Sequence, residues 1–314
     1  MLKNNKLKIK AKVPVISVGN ISFGGTGKTP FVIYLCKLLK ELNHKPAVIG
    51  RGYKRKSKED VVVSDGINIL ADVETGGDEM VLIAKNSVPV FAGTSKSNVV
   101  EKMNNNDCLI NYSYNFDCII VDDGFQHKKL HRDIDIVLVD KKSITDFIKR
   151  EPIKSLKRAD IIVCTNDLTE SDITKYKIQL QNIITVKKNN NTTFNLFTKN
   201  DNKTSNDKVI ALTGIANPNR FINTLNYDTI YPVKYPDHHY YTDKNITKII
   251  NKAKQNNCET VVTTEKDAVK LIKFKEIFEK NNIKIIVFPI EIKITKEDEN
   301  KLKKILEKIF ISNE

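Results

Sequence analysis

A glycine-rich stretch near the N-terminus holds the residues most clearly suited to chemistry. It reads SVGNISFGGTGKTP, residues 17–30, and lies between an apolar β-branched run and a helix-like pattern. Small residues let a backbone curl so that successive N–H groups face phosphate oxygens, and the following helix adds its positive end. This setting predicts a P-loop that binds a nucleoside triphosphate.

Two side chains of this loop have expected roles. Lys28 is placed to reach the β- and γ-phosphates, and Thr29 to ligate magnesium. Ser22 stands where the usual P-loop pattern has its first glycine. The alternative, a glycine-rich turn with an accidental Lys-Thr pair, is disfavoured by the strand–loop–helix context. The residues expected to bind ATP are Phe23, Gly24, Gly25, Thr26, Gly27, Lys28 and Thr29.

A magnesium ion beside a P-loop also needs an acidic ligand, usually at the end of a neighbouring strand. Asp122 and Asp123 directly follow the apolar run 118–121. Adjacent carboxylates after a buried strand are costly unless a cation or water serves them. We therefore predict both as metal ligands, against the alternative of a solvated Asp-Asp-Gly turn.

Short apolar runs alternate with helical patterns and predict an α/β fold: a P-loop NTPase-type, mostly parallel sheet with helices on both faces. A smaller second α/β domain is expected after an Asn- and Lys-rich linker or ribbon. The predicted boundaries are 1–187 for the P-loop core, 188–208 for the linker or ribbon, 209–294 for the second domain and 295–314 for a C-terminal helix of undetermined docking. The predicted strands are 13–18, 46–50, 88–91, 117–121, 134–139, 161–164, 208–213, 260–264 and 285–289.

Composition narrows the class of protein. The 314 residues carry a net charge of +14, which favours an anionic partner, although the lysines are dispersed along the chain. Five cysteines without a CxxC pair indicate reduced thiols in the cytosol. No apolar stretch reaches spanning length and the basic N-terminus lacks the apolar core of a signal peptide, so any membrane contact is expected to be peripheral.

Several strings, taken in order, resemble the tetraacyldisaccharide 4'-kinase (lipid A 4'-kinase) family over nearly the whole chain. They are SVGNISFGGTGKTP (17–30), RGY (51–53), GGDE (76–79), DDGFQHKKLHRD (122–133), REP (150–152), ALTGIANPNRF (211–221), PDHHYY (236–241) and TTEKDAVKL (263–271). The resemblance implies a magnesium-dependent kinase that transfers the ATP γ-phosphate to the 4'-hydroxyl of a tetraacyldisaccharide 1-phosphate, in lipid A biosynthesis. It also implies a peripheral location on the cytoplasmic face of the inner membrane of a Gram-negative bacterium, with no nucleic-acid partner.

The resemblance also implies catalytic roles. Asp78 is the expected general base, although the residues alone leave N-terminal helix capping equally open. His238, from the second domain, is expected to partner Asp78 and orient it. Arg150 is expected to stabilise the transferred phosphoryl group, with Glu151 supporting magnesium; a surface ion pair is the alternative for Arg150.

Further residues in the matching strings are expected near the substrate or phosphates: Arg51, Tyr53, Gln126, His127 and His239. The TTEKDAVK segment is interpreted as a helix cap built by Thr264 and Asp267. Lys96 stands where the family usually has arginine. The family's usual N-terminal membrane helix has only residues 1–12 as its counterpart, so membrane contact is expected to rely on basic residues unless the start is misassigned.

Two other functions compete with the kinase hypothesis. A P-loop GTPase or ATPase switch, including a metal-insertion chaperone, would share the loop, but residues 164–167 read CTND and lack the lysine of a guanine-specificity motif. A nucleic-acid-binding ATPase would explain the positive charge, but no aromatic stacking platform or basic reading helix is evident.

Overall fold

The computed structural model describes residues 8–105, 115–165, 168–174, 182–189, 193–198 and 208–311. The chain forms two compact units, the first comprising residues 1–188 and 292–314 and the second residues 189–291. In the described residues no helix has both the length and the apolar character to cross a membrane.

Strands and helices alternate along the chain. The strands are β1 (Val15–Asn20), β2 (Pro46–Gly50), β3 (Val61–Asp65), β4 (Pro89–Ala92), β5 (Cys118–Asp122), β6 (Ile134–Val139), β7 (Ile161–Thr165), β8 (Ile183–Asn189), β9 (Phe194–Asn195), β10 (Lys208–Thr213), β11 (Thr229–Lys234), β12 (Thr260–Thr264), β13 (Lys284–Phe288) and β14 (Glu291–Ile294). The helices are α1 (Lys28–Glu41), α2 (Val73–Gly76), α3 (Asp78–Ala84), α4 (Lys96–Asn104), α5 (Lys141–Thr145), α6 (Glu170–Thr174), α7 (Pro218–Ile222), α8 (Asp243–Gln255), α9 (Glu265–Leu271), α10 (Lys275–Lys280) and α11 (Lys296–Ile311). Short 3₁₀ helices cover Ile153–Arg158 and Ile272–Phe274.

The first unit is built on a sheet with the strand order β14-β8-β7-β6-β1-β5-β2-β4-β3 in the described residues. The pairings from β8 through β4 are parallel, and β3 joins β4 antiparallel. Every residue of β1, β2, β5, β6 and β7 is buried, because helices cover both faces of such a sheet. The predicted α/β fold with a mostly parallel sheet is confirmed.

The second unit has its own sheet, ordered β11-β10-β12-β13-β9. Its pairings are parallel apart from β9, which runs antiparallel to β13. Strand β9 lies within the segment predicted as a linker or ribbon, and this part of the segment joins the second sheet by pairing with β13. Residues 190–192 and 199–207 of the predicted linker lie outside the described residues.

The C-terminal boundary also differs from the prediction. Residues 292–294, expected in the second domain, belong to the first unit, where β14 pairs with β8. Helix α11 docks on the same unit through Leu302, Leu306 and Ile309, which are buried. The Tyr34 hydroxyl donates to Glu299 of this helix at 3.2 Å. The docking surface that the sequence left undetermined is therefore the P-loop unit.

The cysteines within the described residues are unpaired, as expected. Cys36, Cys118, Cys164 and Cys258 are free and buried, whereas Cys108 lies outside the described residues.

Candidate active site

The P-loop connects β1 to α1. Gly24 and Gly27 have φ angles of 109° and 100°, a region that favours glycine. Gly27 is the N-cap of α1 and provides no side-chain hydrogen bond to the first-turn amides. Those amides, together with the positive helix end, form a site suited to phosphate oxygens.

Hydrogen bonds hold the loop from both sides. The Asn20 amide donates to the Thr26 hydroxyl at 3.1 Å, and the Thr165 hydroxyl donates to the Thr26 carbonyl at 3.3 Å. Ser22 is buried, and its hydroxyl lies 2.9 Å from that of Ser143. Its φ angle is not positive, so this position does not need the glycine of the usual pattern.

Asp123 contacts three cationic side chains at the P-loop. Its Oδ1 lies 3.4 Å from Lys28 Nζ, and both carboxylate oxygens lie 2.6 Å from Arg150 Nη1. Lys96 Nζ donates to the Asp123 carbonyl at 2.8 Å. Burial alone would raise the pKa of Asp123, but the charges of Lys28, Arg150 and Lys96 outweigh it and hold the pKa at about 2.

Asp122 has the opposite electrostatic setting. Burial, with a further contribution from the negative charge of Glu79, raises the pKa of Asp122 to about 7, although Lys28 and Lys96 act against the shift. Its Oδ1 is buried and accepts no hydrogen bond within the described part of the chain. A buried carboxylate oxygen without a donor suits a cation.

The predicted set of metal ligands is only partly assembled. Glu151 is paired with Arg158, and Asp123 with Lys28 and Arg150. Within the described ranges there is no group of three or more His, Cys, Asp or Glu residues that could hold a metal ion. Of the predicted carboxylate ligands, Asp122 is thus the one whose Oδ1 is left without a donor in the described residues. One carboxylate suits magnesium, because this ion takes few carboxylates and completes its shell with phosphate oxygens and water.

The segment around Arg150 runs beside the P-loop. The backbone amides of Arg150 and Glu151 both donate to the Ile21 carbonyl, at 2.9 and 3.2 Å. The Arg150 guanidinium lies 5.5 Å from the ring centroid of Phe23, which is exposed. Arg150 does form an ion pair, with the half-buried Asp123, and this pair lies beside the P-loop.

Asp78 lies in the first turn of α3 and is buried. The N-cap is Gly77, so Asp78 is not the capping residue of this helix, and its Oδ1 accepts the Glu79 amide at 2.9 Å. A Cβ on Gly77 would lie 2.7 Å from the Gly52 Cα, a close approach that only glycine allows. This contact packs the start of α3 against the loop of Arg51 and Tyr53, both of which are exposed.

Two residues expected near the phosphates have structural partners. Gln126 Nε2 donates to the Asn20 carbonyl at 2.8 Å. His127 Nε2 accepts the Ser97 amide at 3.2 Å, in the first turn of α4. Burial lowers the pKa of His127, and the charges of Lys96 and Arg132 add to the effect, so the ring suits this acceptor role.

The second unit holds the remaining predicted residues. His238 has a φ of 59°, and its Nε2 lies 3.0 Å from Lys266 Nζ. His239 stacks on Tyr235 with centroids 4.3 Å apart, and its Nε2 lies 3.1 Å from the Asn245 amide oxygen. Its predicted contact with the substrate stays a prediction.

The TTEKDAVK segment forms the start of α9. Thr264 accepts the Asp267 amide, as the capping interpretation predicts. The contact between Lys266 and His238 was missed, because the separation of 28 residues gives no local pattern that joins them.

Comparison with known proteins identifies the family. The model of the family described as tetraacyldisaccharide-1-P 4'-kinase (LpxK) matches residues 2–310. The chain belongs to this tetraacyldisaccharide-1-P 4'-kinase family. The family assignment explains why the ordered strings extend over both units.

Individual members of the family are similar to this chain along most of their length. The tetraacyldisaccharide 4'-kinase of Halothermothrix orenii is 37% identical over 319 residues, covering 89% of this chain and 80% of that protein. The Aquifex aeolicus relative of the same name is 34% identical over 325 residues, covering 97% and 91%. A crystal structure of the "apo" form of LpxK from Aquifex aeolicus in complex with ATP matches with a TM-score of 0.72 and 30% identity, covering 97% of this chain and 91% of that one.

Proposed function

We propose that this chain is an ATP-dependent kinase that phosphorylates the 4'-hydroxyl of a tetraacyldisaccharide 1-phosphate, a lipid A precursor. The observation that carries the proposal is the match to the family over residues 2–310. The same chain has a P-loop and, next to it, a buried Asp122 oxygen that accepts no hydrogen bond from the described residues. A GTPase switch or a metal-insertion chaperone has no comparable support.

The P-loop residues are proposed to bind the triphosphate of ATP. The amides of residues 24–29 face the phosphates, Phe23 flanks them, and Lys28 neutralises the β- and γ-oxygens. Arg150 supplies positive charge to the migrating phosphoryl group. Because Lys28 and Arg150 are both paired with Asp123, we expect phosphate oxygens to compete with Asp123 for them when ATP binds.

Magnesium is proposed to bind at Asp122 and Thr29. The metal would neutralise charge that develops on the phosphate oxygens. The chain itself contributes the buried Asp122 carboxylate, which becomes fully ionised when a cation faces it. Asp123 and Glu151, engaged by Lys28, Arg150 and Arg158, are assigned supporting roles only.

Asp78 is proposed as the general base that accepts the proton of the sugar hydroxyl. Its first-turn position on α3 and its burial support this role, because a base must be held rigidly and shielded from water. His238 is proposed to orient Asp78, and Arg51 and Tyr53 to contact the acceptor. The roles of Asp78 and His238 rest on the resemblance in their motifs.

We also propose peripheral binding to the cytoplasmic face of the inner membrane. Phe147 is fully exposed and Ile148 is 78% exposed, in the segment that follows α5, and Lys141 and Lys142 at the start of that helix are also exposed. Lys149 donates to the Ile144 carbonyl at 3.0 Å and fixes the turn that presents them. An exposed apolar pair beside lysines suits an anionic lipid surface, where an acylated substrate resides.

The test is incubation with γ-labelled ATP, magnesium and tetraacyldisaccharide 1-phosphate, followed by separation of lipid from nucleotide. We expect label in the lipid, and none with Lys28→Met, which removes the ammonium but keeps the stem. Replacing ATP by GTP in the same assay distinguishes the kinase from a GTPase switch. Hydrolysis of either nucleotide without label in the lipid would refute the kinase assignment.

A further inference from the structure

The loop that carries His238 is anchored to the TTEKDAVK segment, which the proposed reaction does not otherwise use. Asp267 Oδ2 accepts the Gly214 amide at 2.8 Å, and Oδ1 accepts the Tyr241 hydroxyl at 3.1 Å. The Gly214 carbonyl in turn accepts the His238 amide at 3.1 Å. Lys270 lies 2.7 Å from Asp267 Oδ1, and both are buried. The backbone of His238 is thus held in place by hydrogen bonds through Gly214 to the buried Asp267.

The imidazole ring of His238 is held by a different residue of the same segment. Lys266 Nζ lies 3.0 Å from His238 Nε2 and 3.5 Å from Asp237 Oδ1. An ammonium group has three donors and no acceptor. The other group near Nε2, the Asp237 carboxylate, has its Oδ2 3.7 Å away, beyond hydrogen-bond distance. The ammonium is therefore the group that fixes the role of Nε2, and with Nε2 as its acceptor the proton of a neutral ring lies on Nδ1.

We propose that Lys266 is a positioning residue that fixes His238 as the Nδ1–H tautomer, with Nε2 as acceptor and Nδ1–H as donor. The catalytic meaning rests on the proposed function, in which His238 orients the carboxylate of Asp78. A carboxylate partner needs a donor, and a histidine in the other tautomer would present a lone pair to it instead.

The tautomer is measured on the free protein by NMR of the ¹⁵N-histidine-labelled chain, with His238→Gln assigning the signals of His238. We expect Nδ1 to be protonated and Nε2 unprotonated in the wild type and in Lys266→Arg, which keeps donors. Lys266→Met should populate the Nε2–H form. Lys280→Met, an exposed lysine of the same unit, is the matched control and should leave the tautomer unchanged.

Kinetics give the second readout. Lys266→Met should lower kcat about tenfold, below the usual range for loss of a general base, with KM for ATP unchanged. Lys266→Arg should recover most of this loss. In a His238→Ala background, Lys266→Met should have no further effect, because its role passes through the imidazole.

An unchanged His238 tautomer in Lys266→Met, or an equal loss of kcat in the His238→Ala background, would overturn the proposal. Its failure is distinguishable from failure of the proposed function. If the tautomer responds as expected but no label enters the lipid, the kinase assignment fails and the tautomer assignment holds.

Discussion

The adjacent residues Asp122 and Asp123 show how strongly side-chain environment separates two identical groups. Asp123, next to Lys28 and Arg150, is held ionised, whereas the buried Asp122 has a pKa of about 7. Groups whose pKa values are driven apart in this way take different roles in a site. Asp123 forms ion pairs with the cationic side chains beside the P-loop, whereas the carboxylate of Asp122 is available to bind a cation.

Asp122 should make the stability of the metal-free protein depend on pH. The unfolded carboxyl releases its proton near pH 4, about the value for a free aspartate, but the folded one does so only at about 7. Between these values the folded state binds more protons, so the free energy of unfolding falls as pH rises. Asp122→Asn should gain stability relative to wild type from pH 5 to pH 8, measured by thermal denaturation in EDTA.

Magnesium and ATP provide the control for this experiment, because a cation beside Asp122 stabilises the ionised carboxylate. With both ligands present, the advantage of Asp122→Asn at pH 8 should shrink or reverse. A difference in Tm between variant and wild type that stays constant with pH would contradict the assigned electrostatic setting of Asp122.

The Asp78→Asn variant tests whether Asp78 acts in catalysis or only stabilises the start of α3. The amide keeps the size of the side chain and an acceptor for the Glu79 amide, so the folded structure should be retained. It cannot accept the substrate proton, and kcat should fall by about 10²–10⁴-fold, the usual contribution of a general base. The measurements are steady-state kinetics and Tm; a near-normal kcat would exclude Asp78 as the base.

The P-loop was predictable because its chemistry lies in one contiguous string between a strand and a helix. The pairing of Arg150 with Asp123 was not, since it joins residues 27 positions apart. The surroundings of the two adjacent histidines were not predictable for a similar reason: they look equivalent in sequence, but His239 contacts Tyr235 and Asn245, whereas His238 lies against Lys266. Local motifs reveal which residues carry chemistry, and tertiary contacts decide which remain available for it.

At the scale of elements, the turn after α5 should act as a membrane anchor. Replacing Phe147 and Ile148 together by serine should weaken binding to anionic phospholipid vesicles by about tenfold or more, since burying each apolar side chain contributes on the order of 1.5–3 kcal/mol. Co-sedimentation measures the effect. Ile67→Ser, a 90% exposed apolar residue elsewhere on the unit, is the matched control.

Equal binding of wild type and the double serine variant would rule out this turn as the anchor. Lower binding by Ile67→Ser as well would indicate a nonspecific effect of surface hydrophobicity. Kinase activity toward a short-chain, water-soluble substrate should be unaffected by the Phe147 and Ile148 substitutions, because neither residue is assigned a role in catalysis.

The buried parallel strands were predictable from sequence, whereas the sheet edges were not. β1, β5, β6 and β7 are mostly apolar and buried throughout, which is typical of strands covered on both faces. Edge strand β11 contains Pro232 and alternates between intermediate and exposed residues, so its pattern is weak. The return of β14 and α11 to the first unit depends on long-range pairing that no local signal encodes.

For the whole molecule, the division into two units separates the proposed catalytic groups. Lys28, Asp78, Asp122 and Arg150 belong to the first unit, and His238 with Lys266 belongs to the second. The net charge of +14 adds a general attraction for ATP and anionic lipid. Activity should therefore require both units within one chain.

A double-mutant cycle tests whether the two units act on one reaction step. His238→Ala should lower kcat by less than Asp78→Asn, because a residue that orients the base contributes less than the base itself. With Asp78 already replaced, His238→Ala should have little further effect, since no base is left to orient. The measurement is kcat for wild type, both single variants and the double variant under saturating ATP. Additive losses of log kcat would mean that His238 serves the enzyme independently of Asp78, for example in binding the acceptor, and would remove the proposed pairing.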